Sequence, residues 1–600
     1  MNHMKMRVAD YITSALYDAG GEHVFVITGG MIMHLTDALL QHGKQKFTCC
    51  HHEQAATMAA DAYGRYTQKL GVAYVTAGPG ALNTITGVVG AYVDSSPCII
   101  VAGQSKVSQA KVTGPRQFSL QGYENLPIFE KFTKYAVMLD DISRVRYEVE
   151  KSIYIAKQNR VGPVYIECPI DIQAMYFDPD EYEGFQPPVE NNMPAISAEQ
   201  VNKVKELLQK SKRPCIIAGA GIRMANAIQP FYRFVEHLQI PVVTSRLGMD
   251  LLGFEHPLFV GHPGLYGDRP ANFAVHNADL LLILGSRMGI GTVGYDFQDV
   301  APKAVKICVD IDEKELVKPG IPLDMPIHGD VNAFLEMLLP ITTDLSLETD
   351  NWVAKVQEWK VAYPVDLPEY QNEVDGVNSY HLTRVFSEKM RDDDIFILDT
   401  GSCFHVFAQA FKVKYGQRHI ITGGLSTMGY MPGAIGVAAA SGSKEVYCIT
   451  GDGSLQMNIQ ELQTIAHNRL PVKIVVFNNN GYLLIRQTQK NFQDGRLIGE
   501  GPESGVGFPD LRKIADAYGI GYLSIHSLAN LESGIQELID YHGPVICEVM
   551  TPSNQLLIPR IASKKLEDGT MVSLPYDDMF PFLPRDEYNR HCLRNNCNLE

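Results

Sequence analysis

Gly451-Asp452-Gly453-Ser454, followed further on by Asn478-Asn479-Asn480-Gly481-Tyr482, is the pair of segments on which the reading of the fold turns. A short apolar run, Val446 to Ile449, leads into the first, and Val472 to Phe477 leads into the second. Both segments therefore fall at the ends of expected buried strands, where an open α/β sheet presents its ligands. Asp452 and Asn479 each offer a side-chain oxygen, and the glycines allow the backbone to approach a ligand closely. Oxygen-only ligands at a strand end suit Mg²⁺ carrying a diphosphate better than zinc or iron. Between them, Asn458–Asn468 places Ile459, Leu462 and Ile465–Ala466 on one face and reads as the crossover helix.

The same alternation extends toward the N-terminus. Val24–Ile27, Val72–Val75, Ile99–Val101 and Val164–Ile166 are apolar runs separated by helix-like stretches, which argues a parallel α/β layer. Cys215–Ala218, Val242–Thr244, Leu280–Leu284 and Ile307–Asp310 repeat the pattern, and Ile395–Leu398, Val446–Ile449, Ile474–Phe477 and Val545–Val549 repeat it again. The expected architecture is three consecutive α/β domains with mainly parallel sheets, spanning 1–184, 185–345 and 375–555, then an irregular tail over 556–600. Thr342 to Gly376, which holds both tryptophans, reads as a loose connection.

Six hundred residues suit three or four domains of roughly 150 residues each. A formal charge of -16 argues against a nucleic-acid or anionic-membrane surface, which needs clustered Lys and Arg. Apolar runs such as Leu280 to Leu284 are too short to span a bilayer, and Met1 to Asp10 shows no apolar signal region. Eleven scattered cysteines without a CxxC pair point to free thiols in a reducing cytoplasm. Cys49-Cys50-His51-His52 imitates a metal cluster, but adjacent residues on one element diverge in direction.

Other segments are unremarkable one at a time. Glu53 opens a run of small residues ending near Tyr63, where a first-turn carboxylate is favoured by the helix dipole alone. Gly78-Pro79-Gly80-Ala81-Leu82-Asn83 is a good tight turn after Val72–Val75, and Gln121 suits a polar surface. Met428, in Ser426-Thr427-Met428-Gly429-Tyr430-Met431-Pro432, suits a core.

Together they resemble the acetolactate-synthase-like family of thiamine-diphosphate-dependent enzymes. The 27 positions from Asp452 to Asn479 fit its GDG-to-paired-Asn motif, and the HEQAA segment fits the region of its activating glutamate. The Gly78–Asn83 loop and the Ser426–Ala434 stretch match as well, the latter with one residue fewer between Gly429 and Pro432. The resemblance implies that Asp452, Asn479 and the carbonyl of Gly481 bind Mg²⁺. It implies that Glu53 bonds N1′ of the aminopyrimidine, that Met428 wedges between the cofactor rings, and that Gln121 lies near the substrate. Gly30, Gly78, Asn83, Gly453, Ser454 and Tyr482 are expected at the thiamine diphosphate, which in this family bridges two subunits. A homodimer, often doubled to a homotetramer, follows.

In the middle segment, Gly219-Ala220-Gly221 begins a GxGxxG pattern that Met224 breaks, so the dinucleotide fingerprint fails. Gly261, His262, Arg287, Asp310 and Asp330 fall where members of the family hold FAD. The implied reaction is decarboxylation of a 2-keto acid, pyruvate, and transfer of the acetyl unit to a ketone, aldehyde or 2-keto acid. No His-His pair of the pyruvate decarboxylase type lies between Asn83 and Asp180, which favours ligation over protonation. Thr488 stands near a position where acetolactate synthases carry a tryptophan, which suggests a different or larger acceptor. Pro575 to Pro584 resembles carboligases of branched-chain sugar synthesis, including the yersiniose type, whose acceptors are keto sugar nucleotides. Acetolactate synthesis proper, diketone hydrolysis, a flavin- or NAD-linked oxidoreductase and a silent scaffold are the alternatives.

Overall fold

The computed structural model describes residues 5–188, 193, 195–442, 444–565 and 567–593. Three six-stranded sheets dominate it, and every pairing within them is parallel. The first runs Lys46–Cys49, His23–Val26, Gly71–Val75, Cys98–Gln104, Val164–Pro169, Tyr135–Met138. The third runs Arg418–Ile421, Ile395–Leu398, Val446–Gly451, Val472–Asn478, Val545–Met550, Gly521–Ile525. Numbered within each sheet, both orders are 2-1-3-4-6-5. The second sheet runs Phe259–Gly261, Val242–Thr244, Pro214–Ala218, Leu280–Leu284, Val305–Asp310, Met325–His328, the order 3-2-1-4-5-6. The central strands are buried along almost their whole length, which is why they read as continuous apolar runs.

The first and third sheets share one core. The helix Glu53–Thr67 packs on the helix Pro432–Ser441, and a Cβ on Gly436 would collide with the carbonyl of Ala59. Small residues on both faces permit that approach. Tyr430, just ahead of the second helix, donates to the carboxylate of Asp61 on the first.

Two expectations need correction and one a refinement. The segment from Thr342 to Gly376 is not a loose connection: Asp350–Ala362 is a helix whose two tryptophans are fully buried. Trp352 Nε1 donates to the carbonyl of Pro214 at 2.9 Å, and Trp359 Nε1 donates to His591 Nδ1 at 2.9 Å. The C-terminal part, mostly irregular as expected, nevertheless carries short regular elements. Ser563–Lys565 pairs antiparallel with Met571–Ser573, Arg585–His591 is helical, and Tyr576 and Met579 are buried in the tryptophan core. Its last residues, 594–600, lie outside the described residues. Finally, the crossover after Asp452 is not one helix but Asp452–Leu455, Gln456–Glu461 and Leu462–His467, broken at Asn458 with φ -137°. Among the described residues, no helix is long and apolar enough to cross a membrane.

Candidate active site

In a doubly wound sheet the ligand crevice lies at the carboxyl ends of the strands, where the order reverses. In the first sheet that point separates His23–Val26 from Gly71–Val75, and it gathers Gly29–Gly30 and Thr76–Gly80. A Cβ on Gly29 or on Gly80 would press on the side chain of Thr76, so both segments meet there, with Gly30 opening the short turn Gly30–Ile32. Glu53 is the first residue of its helix, which follows the edge strand Lys46–Cys49, and His52 caps that helix by accepting from Gln54 N at 3.1 Å. Oε2 of Glu53 accepts from Asn83 Nδ2 at 3.0 Å, while Oε1 lies beside Gly80. Gly78 has φ 60°, and a Cβ there would collide with the carbonyl of Gln121. Glycine at 78 is therefore what lets residue 121 reach this crevice. Glu53, Gly78, Asn83 and Gln121 are brought together.

The third sheet repeats the geometry. Asp399 ends its first strand, Gly451–Asp452 its third, and Asn478-Asn479 its fourth. Asp452 is 3% exposed; Oδ1 accepts from Gly453 N at 2.8 Å and Oδ2 from Gly481 N at 2.9 Å. Burial pushes its carboxyl up to about 6, against the opposing effect of those N–H groups. Asn478 is committed locally: its Nδ2 donates to Glu548 at 2.6 Å, and its Oδ1 accepts from Asn480 N at 2.9 Å. Asn479 is different, because its Oδ1 is buried and has no hydrogen-bond partner. A buried acceptor left without a donor costs about 1–3 kcal/mol unless something fills it. A carboxylate with a raised pKa and an unmatched amide oxygen, with no soft donor, fit a hard divalent cation. Gly453 lies under the ring of Tyr482, where a Cβ would collide with it.

Met428 sits half-buried just ahead of two pinned residues. Gly429 N donates to Ser454 Oγ at 2.8 Å, and its carbonyl accepts from Asn458 Nδ2 at 2.7 Å. Tyr430 N donates to Asp399 Oδ1 at 3.0 Å. The break at Asn458 has this reason: leaving helical geometry places its amide on the loop that presents Met428.

At the reversal point of the second sheet lies a cavity of about 760 Å³, lined by Arg287, Asp310 and Asp330 among others. Gly261 and His262 are not among its lining residues; His262 is buried, with Nδ1 at 2.8 Å from Thr244 Oγ1, and Gly261 packs on Asp268. Gly219 and Gly221 serve a close approach instead, since Gly221 N donates to the Gly285 carbonyl at 3.0 Å and a Cβ on Gly219 would collide with that oxygen. Gly423, Gly424 and Ser426 also line the cavity, so the loop that carries Met428 begins at its wall.

Three contributors carry no sequence motif above. Asp399 is fully buried, and its carboxylate also accepts from Thr400 N at 2.8 Å and Thr450 Oγ1 at 2.9 Å. Glu461 is fully buried and accepts from His51 N at 2.9 Å and His52 N at 3.0 Å, clipping the residues ahead of Glu53 to the third domain. Burial pushes its carboxyl up. Arg486 holds the Asn479–Asn480 backbone. Asp399 was findable, since it follows an apolar run as Asp452 does. Thr488 is exposed, its hydroxyl donating to the Leu484 carbonyl at 2.8 Å.

Known proteins agree with this layout. Family models described as the N-terminal TPP binding domain, central domain and C-terminal TPP binding domain of thiamine pyrophosphate enzymes match residues 6–132, 201–338 and 399–549. The chain is 32% identical to the acetolactate synthase large subunit of Cyanidium caldarium over 590 residues, covering 94% of this chain and 97% of that protein. It is 30% identical to the acetolactate synthase large subunit of Lactococcus lactis over 574 residues, covering 94% and 96%. It is 30% identical to the large subunit of acetolactate synthase isozyme 1 of Escherichia coli over 556 residues, covering 92% and 95%.

Proposed function

The chain belongs to the thiamine pyrophosphate enzyme family, in its acetolactate-synthase-like branch, and from that premise we propose that it decarboxylates pyruvate and ligates the acetyl unit to a carbonyl acceptor. The observation that carries the cofactor reading is the buried, unmatched Oδ1 of Asn479 on a loop tied to Asp452. Asp452, Asn479 and the Gly481 carbonyl would hold Mg²⁺, with Gly453 and Ser454 lining the site of the diphosphate. Thiamine diphosphate supplies, when bound, the electron sink that lets a 2-keto acid lose CO₂ and its acyl carbon add to a carbonyl. Glu53 holds and exchanges a proton with the pyrimidine ring, its carboxylate aimed by Asn83. Met428, held just ahead of the pinned Gly429 and Tyr430, would pack against the cofactor, a positioning effect. Gln121 orients the substrate.

A homodimer is the minimum active unit. Within one chain Tyr430 meets Asp61, which lies eight residues, or about 12 Å along the helix axis, from Glu53. In the family it resembles the cofactor bridges two subunits, and on that basis Glu53 is assigned to the Met428 loop of a second copy. Phe118, Leu120 and Tyr123, beside Gln121, are 62%, 80% and 50% exposed, an apolar face that a partner would cover. The central cavity takes FAD, with Arg287 at the diphosphate and Asp310 toward the ribose; its role is structural, because ligation involves no net redox change. The nine described cysteines from Cys49 to Cys547 are free thiols, in keeping with a cytoplasmic enzyme.

The acceptor is a ketone larger than a small 2-keto acid, a keto sugar nucleotide being the reading we favour. Thr488 supports it, leaving its exposed helix face without the bulk of a tryptophan. Acetolactate synthesis proper is the second reading, favoured by the names of the relatives. Incubation with labelled pyruvate and a panel of carbonyl compounds, read by NMR, separates them. Acetolactate as the sole efficient product establishes the second reading, and product formation without CO₂ release overturns both.

A further inference from the structure

The helix Leu483–Phe492 turns three polar side chains inward, and each ties down the backbone of a different segment. Gln487 Nε2 donates to the Gln555 carbonyl at 2.6 Å. Gln489 grips Ile498 twice, through Nε2 to the carbonyl at 3.0 Å and Oε1 from the amide at 2.9 Å. Arg486 does most. Its Nε donates to the carboxylate of Glu500, Nη1 to the carbonyls of Ser553 at 2.6 Å and Asn479 at 3.3 Å, and Nη2 to the carbonyl of Asn480 at 2.9 Å. Both side chains are nearly out of solvent, 9% and 5% exposed.

The segment so gripped is the loop of the proposed cation ligands. Asp452 holds it from one side through Gly481 N, and Arg486 and Glu500 hold it from the other. Tyr482 N donates to the Glu500 carbonyl at 2.7 Å. Gly481, at φ 154°, leaves no room for a side chain: a Cβ would collide with both the Glu500 carbonyl and the Arg486 guanidinium. A buried guanidinium against the backbone of a divalent-cation site is electrostatically adverse by itself. Glu500 cancels that charge while the planar fork reaches carbonyls that a point-like ammonium cannot span. Buried ion pairs contribute little net stability, so a pair kept here is better explained by the geometry it enforces.

We infer that Arg486 and Glu500 act as a positioning pair that fixes the cation-binding loop Asn479–Gly481, so that metal affinity depends on two side chains that do not touch the metal. The inference rests on the cofactor reading above. The test uses full-length protein stripped of metal, with excess thiamine diphosphate, and follows free Mn²⁺ by electron paramagnetic resonance. R486K and the near-isosteric E500Q are each expected to weaken Mn²⁺ binding about 10- to 100-fold, with near-ultraviolet circular dichroism unchanged. A purely structural role lowers the melting temperature but leaves Mn²⁺ affinity of the folded protein alone, and a folded variant within about threefold of wild type overturns the inference. If R486K does not fold, E500Q decides by the same criterion. Wild-type protein that takes up no Mn²⁺ with thiamine diphosphate overturns the cofactor reading as well; tight wild-type binding with unaffected variants overturns the positioning pair alone.

Discussion

At the residue scale, Glu53 and Gly78 allow the sharpest tests. Glu53→Gln removes the exchangeable proton and keeps shape and the contact to Asn83. CO₂ release from pyruvate should fall about 10²- to 10⁴-fold, with bound thiamine diphosphate and melting temperature unchanged. Unimpaired CO₂ release would remove Glu53 from the chemistry. Gly78→Ala puts a side chain at φ 60° against the Gln121 carbonyl, so urea unfolding should show a loss of about 1–3 kcal/mol and the KM for pyruvate should rise. What was legible at this scale was whatever projects from a strand end with a distinctive residue type, as Asp452 and Asn479 do; Glu53, the first residue of a helix, stood out only through the family resemblance. Glu461 and Arg486 were not legible, because their partners are backbone groups of distant segments, which leave no spacing in the sequence.

At the scale of elements, the limit of reading falls along the sheet edges. In each sheet the four central strands announce themselves as apolar runs, and the two edge strands do not: Lys46–Cys49 and Tyr135–Met138, Phe259–Gly261 and Met325–His328, Arg418–Ile421 and Gly521–Ile525. A central strand is covered on both faces, whereas most of these edges carry partly exposed residues that break the run. The helix Asp350–Ala362 was missed for a related reason, since its burial depends on a chain segment more than two hundred positions later. That dependence makes the C-terminal segment pH-sensitive. Trp359 can only donate, so His591 Nδ1 accepts, and Tyr363, donating to Glu587 at 2.6 Å, receives the Nε2–H at 2.7 Å. Burial lowers the pKa of His591, with Lys355 and Arg590 acting the same way and Glu587 and Glu358 opposing. The neutral ring is the one that folds. Its contribution is whole above the ordinary histidine value of about 6.5 and is lost as pH falls from there toward the lowered folded value. Tryptophan emission and hydrogen exchange over Arg585–His591 should therefore change on acidification from neutral to mildly acidic pH; W359F should abolish the emission change. Constant exchange across that range would mean that the protonated ring is accommodated.

For the whole molecule, two sheets of identical order flank a third of different order, and all three place their candidate groups where strand order reverses. On the proposed reading each chain contributes one carboxylate half-site and one cation half-site, and the packing of Glu53–Thr67 on Pro432–Ser441 joins the two domains that carry them in one core. The active site is, on that reading, shared between two copies, Glu53 of one serving the Met428 loop of the other. Mixing two inactive variants tests this directly. In a two-fold dimer formed from Glu53→Gln and Asp452→Ala chains, one site inherits both defects and the other neither. Co-refolded at equal amounts, the mixture should recover about a quarter of wild-type activity, from half the dimers carrying one intact site each. If each chain instead built its own site, every site would hold one defect and mixing would restore nothing. Asp452→Ala alone should fail to retain thiamine diphosphate with Mg²⁺ present, while Glu53→Gln should retain it. Bound cofactor in the mixture should then track the Asp452-bearing chains even as activity tracks the hybrids, and this separation of occupancy from turnover is what a site shared between subunits requires.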